Sequence, residues 1–342
     1  MNETTRSREI HLARRPDGMP KADDFTCTEA TLDAPSSGEV LVRNIFMSVD
    51  PYMRGRMIDR ESYVPPFQIG AVLEGGAIGE VVASGADGFK AGDLVSHMAG
   101  WREYALVKGE TCNAVPSGTG IPLQAFLGTL GMPGLTAYAG LLRVGALADG
   151  ETVFVSAASG AVGAIVCQIA KIKGCTVIGS AGSDDKCKWL EEEAGIDAAI
   201  NYKSCGDLTA ELAKHAPKGI DVYFENVGGV HLQAAIENMR PNGRIAMCGM
   251  ISQYNDTKPM PGPHNLIQIV GKGLRMQGFI VSNHVDMMPD FMRDMAEWIG
   301  AGKIKWQETI LDGIEEAPQA FMNLFTGGNS GKMLVRLGPD PS

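Results

Sequence analysis

The chain has 342 residues, of which 44% are apolar and 20% charged, and carries a formal net charge of −10. That length allows two domains with sizeable cores. The acidic balance argues against a broad nucleic-acid surface, which needs clustered Lys and Arg, and no apolar run reaches the length of a membrane span.

Met1 to Arg15 is polar and charged, with no signal-peptide core, so the expected location is the cytoplasm. Residues 35–115 are rich in Gly and in short β-like runs: Val40 to Phe46, Ala77 to Ala83 and Asp93 to Ser96. Short strands punctuated by Gly and Pro predict a compact β domain. From Leu127 the texture changes, and Gly134 to Leu142 reads as a helix.

The most informative stretch is Thr152-Val-Phe-Val-Ser-Ala-Ala-Ser-Gly-Ala-Val-Gly163. It predicts a buried strand, a small-residue turn and the first turn of a helix. Gly160 would let the backbone approach a phosphate, and Gly163 would let the helix pack on the sheet. The helix runs through Ile165, Val166, Ile169, Ala170 and Ile172 and stops near Gly174. Thr176 to Ser180 then completes a βαβ unit, the setting in which such a turn binds a dinucleotide. Further strands are expected at Ala198 to Ile200, Asp221 to Phe224, Arg244 to Cys248 and Met276 to Val281. Helices are expected at Leu208 to His215, His231 to Met239 and residues 290–300. This alternation predicts a doubly wound α/β fold. The tail Gly331 to Leu337 is strand-like and could return to the sheet of the first domain.

Seven cysteines are scattered without a C-x-x-C pair, which suggests reduced thiols and gives no structural zinc site. Cys167 and Cys248 read best as buried.

Several motifs narrow the class: Ser48-Val-Asp-Pro-Tyr-Met-Arg54, Leu130-Gly-Met-Pro-Gly-Leu-Thr-Ala-Tyr138, Tyr223-Phe-Glu-Asn-Val-Gly-Gly229, Cys248-Gly-Met-Ile-Ser-Gln-Tyr-Asn255 and Gly328-Asn-Ser-Gly-Lys332. Together they resemble the zinc-independent medium-chain dehydrogenase/reductases of the prostaglandin reductase/leukotriene B4 dehydrogenase family. Arg54-Gly-Arg-Met57 and Gly219-Ile-Asp221 favour its bacterial branch of NADPH-dependent curcumin reductases. The resemblance implies a GroES-like β-rich domain over residues 1–128, completed by 309–342 and carrying substrate and catalytic groups. It also implies a Rossmann NADP-binding domain over 129–308, an active site in the cleft between the two, and a homodimer. The zinc-dependent branch carries a Gly-His-Glu segment and a cysteine lobe. Here the comparable region is Ile69-Gly-Ala-Val-Leu-Glu-Gly-Gly76, without histidine, and no metal is expected.

NAD-selective sites usually place a carboxylate after the second Rossmann strand. Here that strand ends in Gly179-Ser-Ala-Gly-Ser183, and Lys186 follows. The resemblance assigns Lys186 and Tyr202 to the 2′-phosphate of NADPH. An ordinary solvated lysine is the alternative, and Asp184 and Asp185 keep NAD open. By the same resemblance Gly160, Ala161, Val162, Gly163, Asn226, Cys248, Gly249, Met250, Ile251, Ser252, Tyr254, Phe279, Ile280, Val281 and Asn329 contact the coenzyme. Phe279 to Val281 could equally be core strand, and Asn329 a turn residue.

The implied activity is reduction of the C=C bond of an α,β-unsaturated ketone or aldehyde. Hydride passes to the β-carbon and charge builds on the carbonyl oxygen, which calls for a hydrogen-bond donor. Tyr254, in a loop after a Rossmann strand, is the leading donor, with loop packing as its alternative. Tyr52 is the second candidate. Arg54 and Arg56 suit a salt bridge at least as well as a substrate contact. Met53, Met132 and Met250 are pocket walls or core filling. Two other functions remain open: an NADPH quinone or carbonyl reductase, and a non-catalytic nucleotide-binding member of the superfamily.

Overall fold

The computed structural model describes residues 4–340; Met1 to Glu3 and the last two residues, which include both outer bounds of the expected first domain, lie outside the described residues. The chain divides into two compact units. One comprises Met1–Leu127, Glu308–Asn329 and Met333–Ser342, the other Gly128–Gln307 and Ser330–Lys332.

The first unit opens with β1 (Thr5–Leu12), paired antiparallel along its length with β2 (Phe25–Leu32). The polar N-terminal texture concealed β1. Ser7 and Glu9 are buried on one face and Ile10 and Leu12 on the other, so neither face shows an apolar alternation longer than two residues. The main sheet has seven strands: β3 (Glu39–Ser48), β4 (Ala77–Ser84), β5 (Leu94–His97), β6 (Tyr104–Lys108), β7 (Asn113–Ala114), β14 (Glu308–Asp312) and β15 (Lys332–Arg336). The path runs β14-β15-β3-β4-β5-β7, and β6 also pairs with β3. The strand-like tail therefore does return to this sheet, with Val335 opposite Met47. Two short helices join it, α1 (Met53–Arg56) and α9 (Ala317–Thr326). The core gathers Met47, Met53, Leu73, Trp101, Phe321 and Val335. Trp101 stacks on Phe25 at 6.1 Å and meets Phe321 edge-on at 6.1 Å, a favoured aromatic geometry.

The second unit is a six-stranded sheet: β8 (Thr152–Val155), β9 (Thr176–Ala181), β10 (Ala198–Asn201), β11 (Ile220–Glu225), β12 (Met239–Met247) and β13 (Arg275–Gly278). Its order is β10-β9-β8-β11-β12-β13, and each neighbouring pair is parallel. Parallel strands need covered faces. The intervening helices are α2 (Met132–Ala139), α3 (Gly163–Ile172), α4 (Asp184–Glu192), α5 (Leu208–His215), α6 (Gly229–Asn238), α7 (Ile267–Lys272) and α8 (Met288–Gly300). The adjacent strands β8 and β11 stack Phe154 on Tyr223 at 5.0 Å.

Two expectations need correction. The helix expected at Gly134 to Leu142 begins at Met132 and passes after Ala139 into a π-helical turn, Gly140–Val144. The last Rossmann strand stops at Gly278, so Phe279 to Val281 are half-buried residues beyond it and not core strand. Among the described residues no helix is long and apolar enough to cross a membrane.

Candidate active site

In the second unit, β8 and β11 lie side by side at the centre of the sheet. The strand order reverses between them, with β9 and β10 to one side and β12 and β13 to the other. Carboxyl ends at such a reversal frame a ligand crevice. The turn leaving β8 is tight. Ala157 takes the left-handed conformation (φ 47°), and the Gly160 N–H donates to the Ala157 carbonyl at 2.9 Å. A Cβ on Gly163 would lie 2.3 Å from the Ala157 oxygen and 2.9 Å from the Ala158 Cα, so only glycine lets α3 start this close to the strand. Gly160, Ala161 and Val162 are half-buried. The first-turn amides of a helix lack intrahelical acceptors, and the dipole adds positive character there. The turn therefore suits a pyrophosphate. The Gly331 N–H donates to the Ser159 carbonyl at 2.9 Å, so a second backbone segment lines the turn. Asn329 stands two residues ahead of Gly331 in the chain and falls within the first unit.

The end of β9 holds a second cluster. Asn201 of β10 pairs with Ala181 of β9, which brings the following Tyr202 and Lys203 alongside Gly182. A Cβ on Gly182 would lie 3.2 Å from Tyr202 Oη and 3.3 Å from Lys203 Cε. Lys186 sits in the first turn of α4, whose N-cap is Ser183. Burial first, and the Lys203 charge second, lower the Lys186 ammonium below its ordinary value. An anion beside these two cations would relieve both effects. Asp184 is turned to structural use, since its Oδ1 accepts from Asn201 Nδ2 at 2.6 Å. Sequence reading missed Lys203 because only the pairing of β10 with β9 brings it here. Tyr202 packs edge-on against His231, with ring centroids 4.8 Å apart.

A third group forms where β11 and β12 end. The Cys248 and Gly249 N–H groups donate to the Glu225 carbonyl at 2.9 and 3.0 Å. The Ile251 N–H donates to the Asn226 carbonyl, and the Ser252 N–H to the Val227 carbonyl, both at 3.1 Å. Ser252 Oγ donates to the Val227 carbonyl at 2.5 Å. Asn226 is held in turn by Nδ2–H donation to the Ser156 carbonyl at 2.7 Å. The residues assigned by resemblance from Asn226 and from Cys248 to Tyr254 are thus one hydrogen-bonded body. Tyr254 Oη accepts from the Met250 N–H at 3.2 Å. A Cβ on Gly249 would lie 2.9 Å from that hydroxyl, so glycine makes room for it. Burial pushes the Cys248 thiol up to about 12, which keeps it neutral; the residue itself is half-buried and follows the strand, where full burial was expected. Phe279 rests edge-on against Phe224 at 6.2 Å, at the edge of this body.

Tyr52 belongs to the first unit, at the N-cap of α1, where its ring packs on the core cluster. Burial, and then the Asp50 carboxylate, raise its hydroxyl above the ordinary tyrosine value, so it stays protonated and able to donate. Arg54 donates to the Gly18 carbonyl at 2.9 Å, and Arg56 pairs with Glu74 at 2.9 Å with its guanidinium 4.0 Å over Phe67. Both arginines hold the first unit together. Met53 is fully buried core, Met132 is 41% exposed and Met250 is half-buried.

The parallel sheet, the glycine turn at its reversal and the cationic cluster at the end of its second strand define a Rossmann-type, dinucleotide-dependent oxidoreductase. A family model described as the N-terminal domain of oxidoreductase matches residues 8–115, and one described as zinc-binding dehydrogenase matches residues 161–298. The NADPH-dependent curcumin reductase of Escherichia coli is 42% identical over 340 residues, 98% of each chain. The NADP(+)-dependent 2-alkenal reductase of Nicotiana tabacum is 44% identical over 339 residues, again 98% of each. The crystal structure of CurA in complex with NADPH from Vibrio vulnificus superposes with a TM-score of 0.92 at 40% identity, covering 97% of this chain and 100% of that one. The chain belongs to the medium-chain dehydrogenase/reductase superfamily and, within it, to the prostaglandin reductase/leukotriene B4 dehydrogenase family. The zinc in the second description finds no ligand set here. Among the described residues no three His, Cys, Asp or Glu side chains group so as to hold a metal ion, and Glu74 in the comparable segment is committed to Arg56. The residues present do not fit zinc.

Proposed function

We propose that the chain is an NADPH-dependent reductase of the C=C bond of α,β-unsaturated ketones and aldehydes. The observation that carries this reading is the placement of Tyr202 and Lys203 beside Gly182, with Lys186 within electrostatic reach of Lys203, at the end of the strand that neighbours the Gly160–Gly163 turn. A turn for a pyrophosphate and a cationic pocket one strand away suit a dinucleotide that carries a ribose phosphate. The named activities of the curated relatives point to the same chemistry.

When bound, NADPH would supply the hydride for the β-carbon of the substrate, and a proton taken up at the α-carbon would complete the saturated product. The chain's own residues do the rest. Gly160 to Gly163 and the Gly331 segment seat the pyrophosphate, while Lys186 and Tyr202, joined by Lys203, hold the 2′-phosphate. Asn226, residues 248–252, Phe279 to Val281 and Asn329 orient the remainder of the dinucleotide. Tyr254 donates its hydroxyl proton in a hydrogen bond to the carbonyl oxygen as negative charge grows there. The Met250 N–H donated to that same hydroxyl polarises it and strengthens it as a donor. Tyr52, neutral and raised well above its ordinary pKa, serves as a second donor to substrate.

The working form is a homodimer. Strand β13 ends the sheet, so its outer edge has no strand beside it among the described residues. Next to it in sequence, Ile267 and Val270 of α7 are 75% and 78% exposed. An open edge flanked by exposed apolar side chains suits a second copy of the chain.

Incubation with NADPH and an open-chain enone, followed by product identification, tests the activity. The expected product is the saturated ketone. Coenzyme oxidation with quinones alone, or tight NADPH binding without turnover across an enone and enal panel, would sink the proposal.

A further inference from the structure

The last residue of β11, Glu225, is completely buried, and its side chain has no place in the chemistry above. One of its oxygens, Oε1, accepts three hydrogen bonds: from Ser156 Oγ at 3.0 Å, from the Val227 N–H at 2.6 Å and from the Gly228 N–H at 2.9 Å. Ser156 Oγ in turn accepts from the Asn226 N–H at 2.9 Å. Three successive amides, 226 to 228, therefore end on this carboxylate or on the serine it holds. The Glu225 backbone carbonyl anchors Cys248 and Gly249 as well. All three donors to Oε1 are neutral groups. Burying a carboxyl among neutral donors is expensive, yet an apolar side chain in its place would leave the Val227 and Gly228 amides and the Ser156 hydroxyl without this acceptor. Something other than packing is being satisfied.

We propose that Glu225 and Ser156 are positioning residues for the coenzyme: Glu225 Oε1, together with the Ser156 Oγ bound to it, fixes the backbone of residues 226–228 at the crevice between β8 and β11. This rests on the NADPH reading, because the loop so fixed carries Asn226 and leads into α6. The three donors converge on one point, and the side chain must be long enough to put an oxygen there. Aspartate is one methylene too short. Glutamine offers a carbonyl oxygen at the same reach. Burial raises the Glu225 carboxyl above its ordinary value, which favours the protonated form that glutamine imitates.

Direct titration of NADPH onto the purified full chain, by quenching of protein fluorescence, tests this alongside kcat, the enone KM at saturating coenzyme, and Tm. Glu225→Asp should raise the NADPH Kd about tenfold or more, since a displacement of about 1 Å in a positioning group costs up to two orders of magnitude. Glu225→Gln should stay within about threefold of wild type, and enone KM should be unchanged in both variants. Ser156→Ala removes one hydroxyl and leaves the carbon framework intact; it should raise Kd about three- to tenfold, as for loss of a buried hydrogen bond. If Glu225→Asp does not fold, Ser156→Ala decides alone. A lower Tm with unchanged NADPH affinity in these variants would mean a purely structural role and would overturn the proposal. So would equal losses of affinity in Glu225→Gln and Glu225→Asp. Failure of the wild-type chain to bind NADPH would instead bring down the coenzyme reading, and this inference with it.

Discussion

Lys186 loses hydration by burial, and the nearby charge of Lys203 disfavours its own further. Such an arrangement is tolerable when an anion resides between the cations. Lys186→Ala is therefore expected to weaken NADPH by about 2 kcal/mol, in the range of a charge-assisted hydrogen bond, and NADH far less. Lys203→Ala should move the same ratio by a smaller amount, because its side chain is exposed. Dissociation constants for both coenzymes check this, and equal losses for the two would remove the 2′-phosphate assignment. Tyr254→Phe should cut turnover by about 100- to 1,000-fold, as for one oxyanion donor, and lower NADPH affinity much less. Steady-state kinetics with a parallel titration decide it. The resemblance pointed to Lys186 and Tyr202. It did not point to Lys203, whose place beside Gly182 follows from the pairing of β10 with β9. Asp184 could be read as a ribose ligand until Asn201 was seen to occupy it.

Elements were legible where one periodicity ruled. Helix α5 matches its expected bounds, Leu208 to His215, because Leu208 and Leu212 supply a clean inward stripe and Asp207 caps the first turn. Strand β8 was legible because Val153, Phe154 and Val155 are all fully buried. Strand β1 was not, because its buried side chains include Ser7 and Glu9. Helix α4 was legible only at its start, where Asp184, Asp185 and Lys186 read as first-turn residues, because its charged face outweighs Cys187 and Leu190, which alone are buried. The junction of β8 and α3 makes its own prediction. Gly163→Ala drives a methyl carbon into the Ala157 carbonyl, and overpacking of this kind costs about 1–3 kcal/mol. A fall in Tm together with weaker NADPH binding is expected, and calorimetry with and without coenzyme measures both. An unchanged Tm would mean that α3 can slide away from the strand freely.

The whole molecule carries a pH response set by two buried histidines, one in each unit. Desolvation lowers His97 and His231 from 6.5 to about 4, with the Arg102 charge adding to the effect at His97. Both are neutral in the folded chain, while the unfolded chain protonates them near 6.5. Below that pH the unfolded state binds more protons, so stability is full above about 6.5 and falls toward pH 4, by about 1.4 kcal/mol per pH unit for each histidine. Glu225, raised by burial, opposes the trend, since its folded form gains protons as the pH falls. Unfolding midpoints between pH 4 and 8 should slope accordingly, and His231→Phe should flatten the slope. A second expectation at this scale concerns assembly. Val270→Asp should shift the particle from dimer to monomer in light scattering, whereas a wild-type monomer at micromolar concentration would dispose of the dimer altogether.

Strand β3 pairs with β15, so Ser48 finds its partner in Leu334, near the far end of the chain. The larger sheet of the first unit is therefore complete only when β15 joins it. Until then the Phe46–Ser48 border of β3 stays bare, and pairings so distant in sequence are slow to form. Chains cut short of residue 332 would display that border to their neighbours, which makes such truncated products prone to aggregate through it.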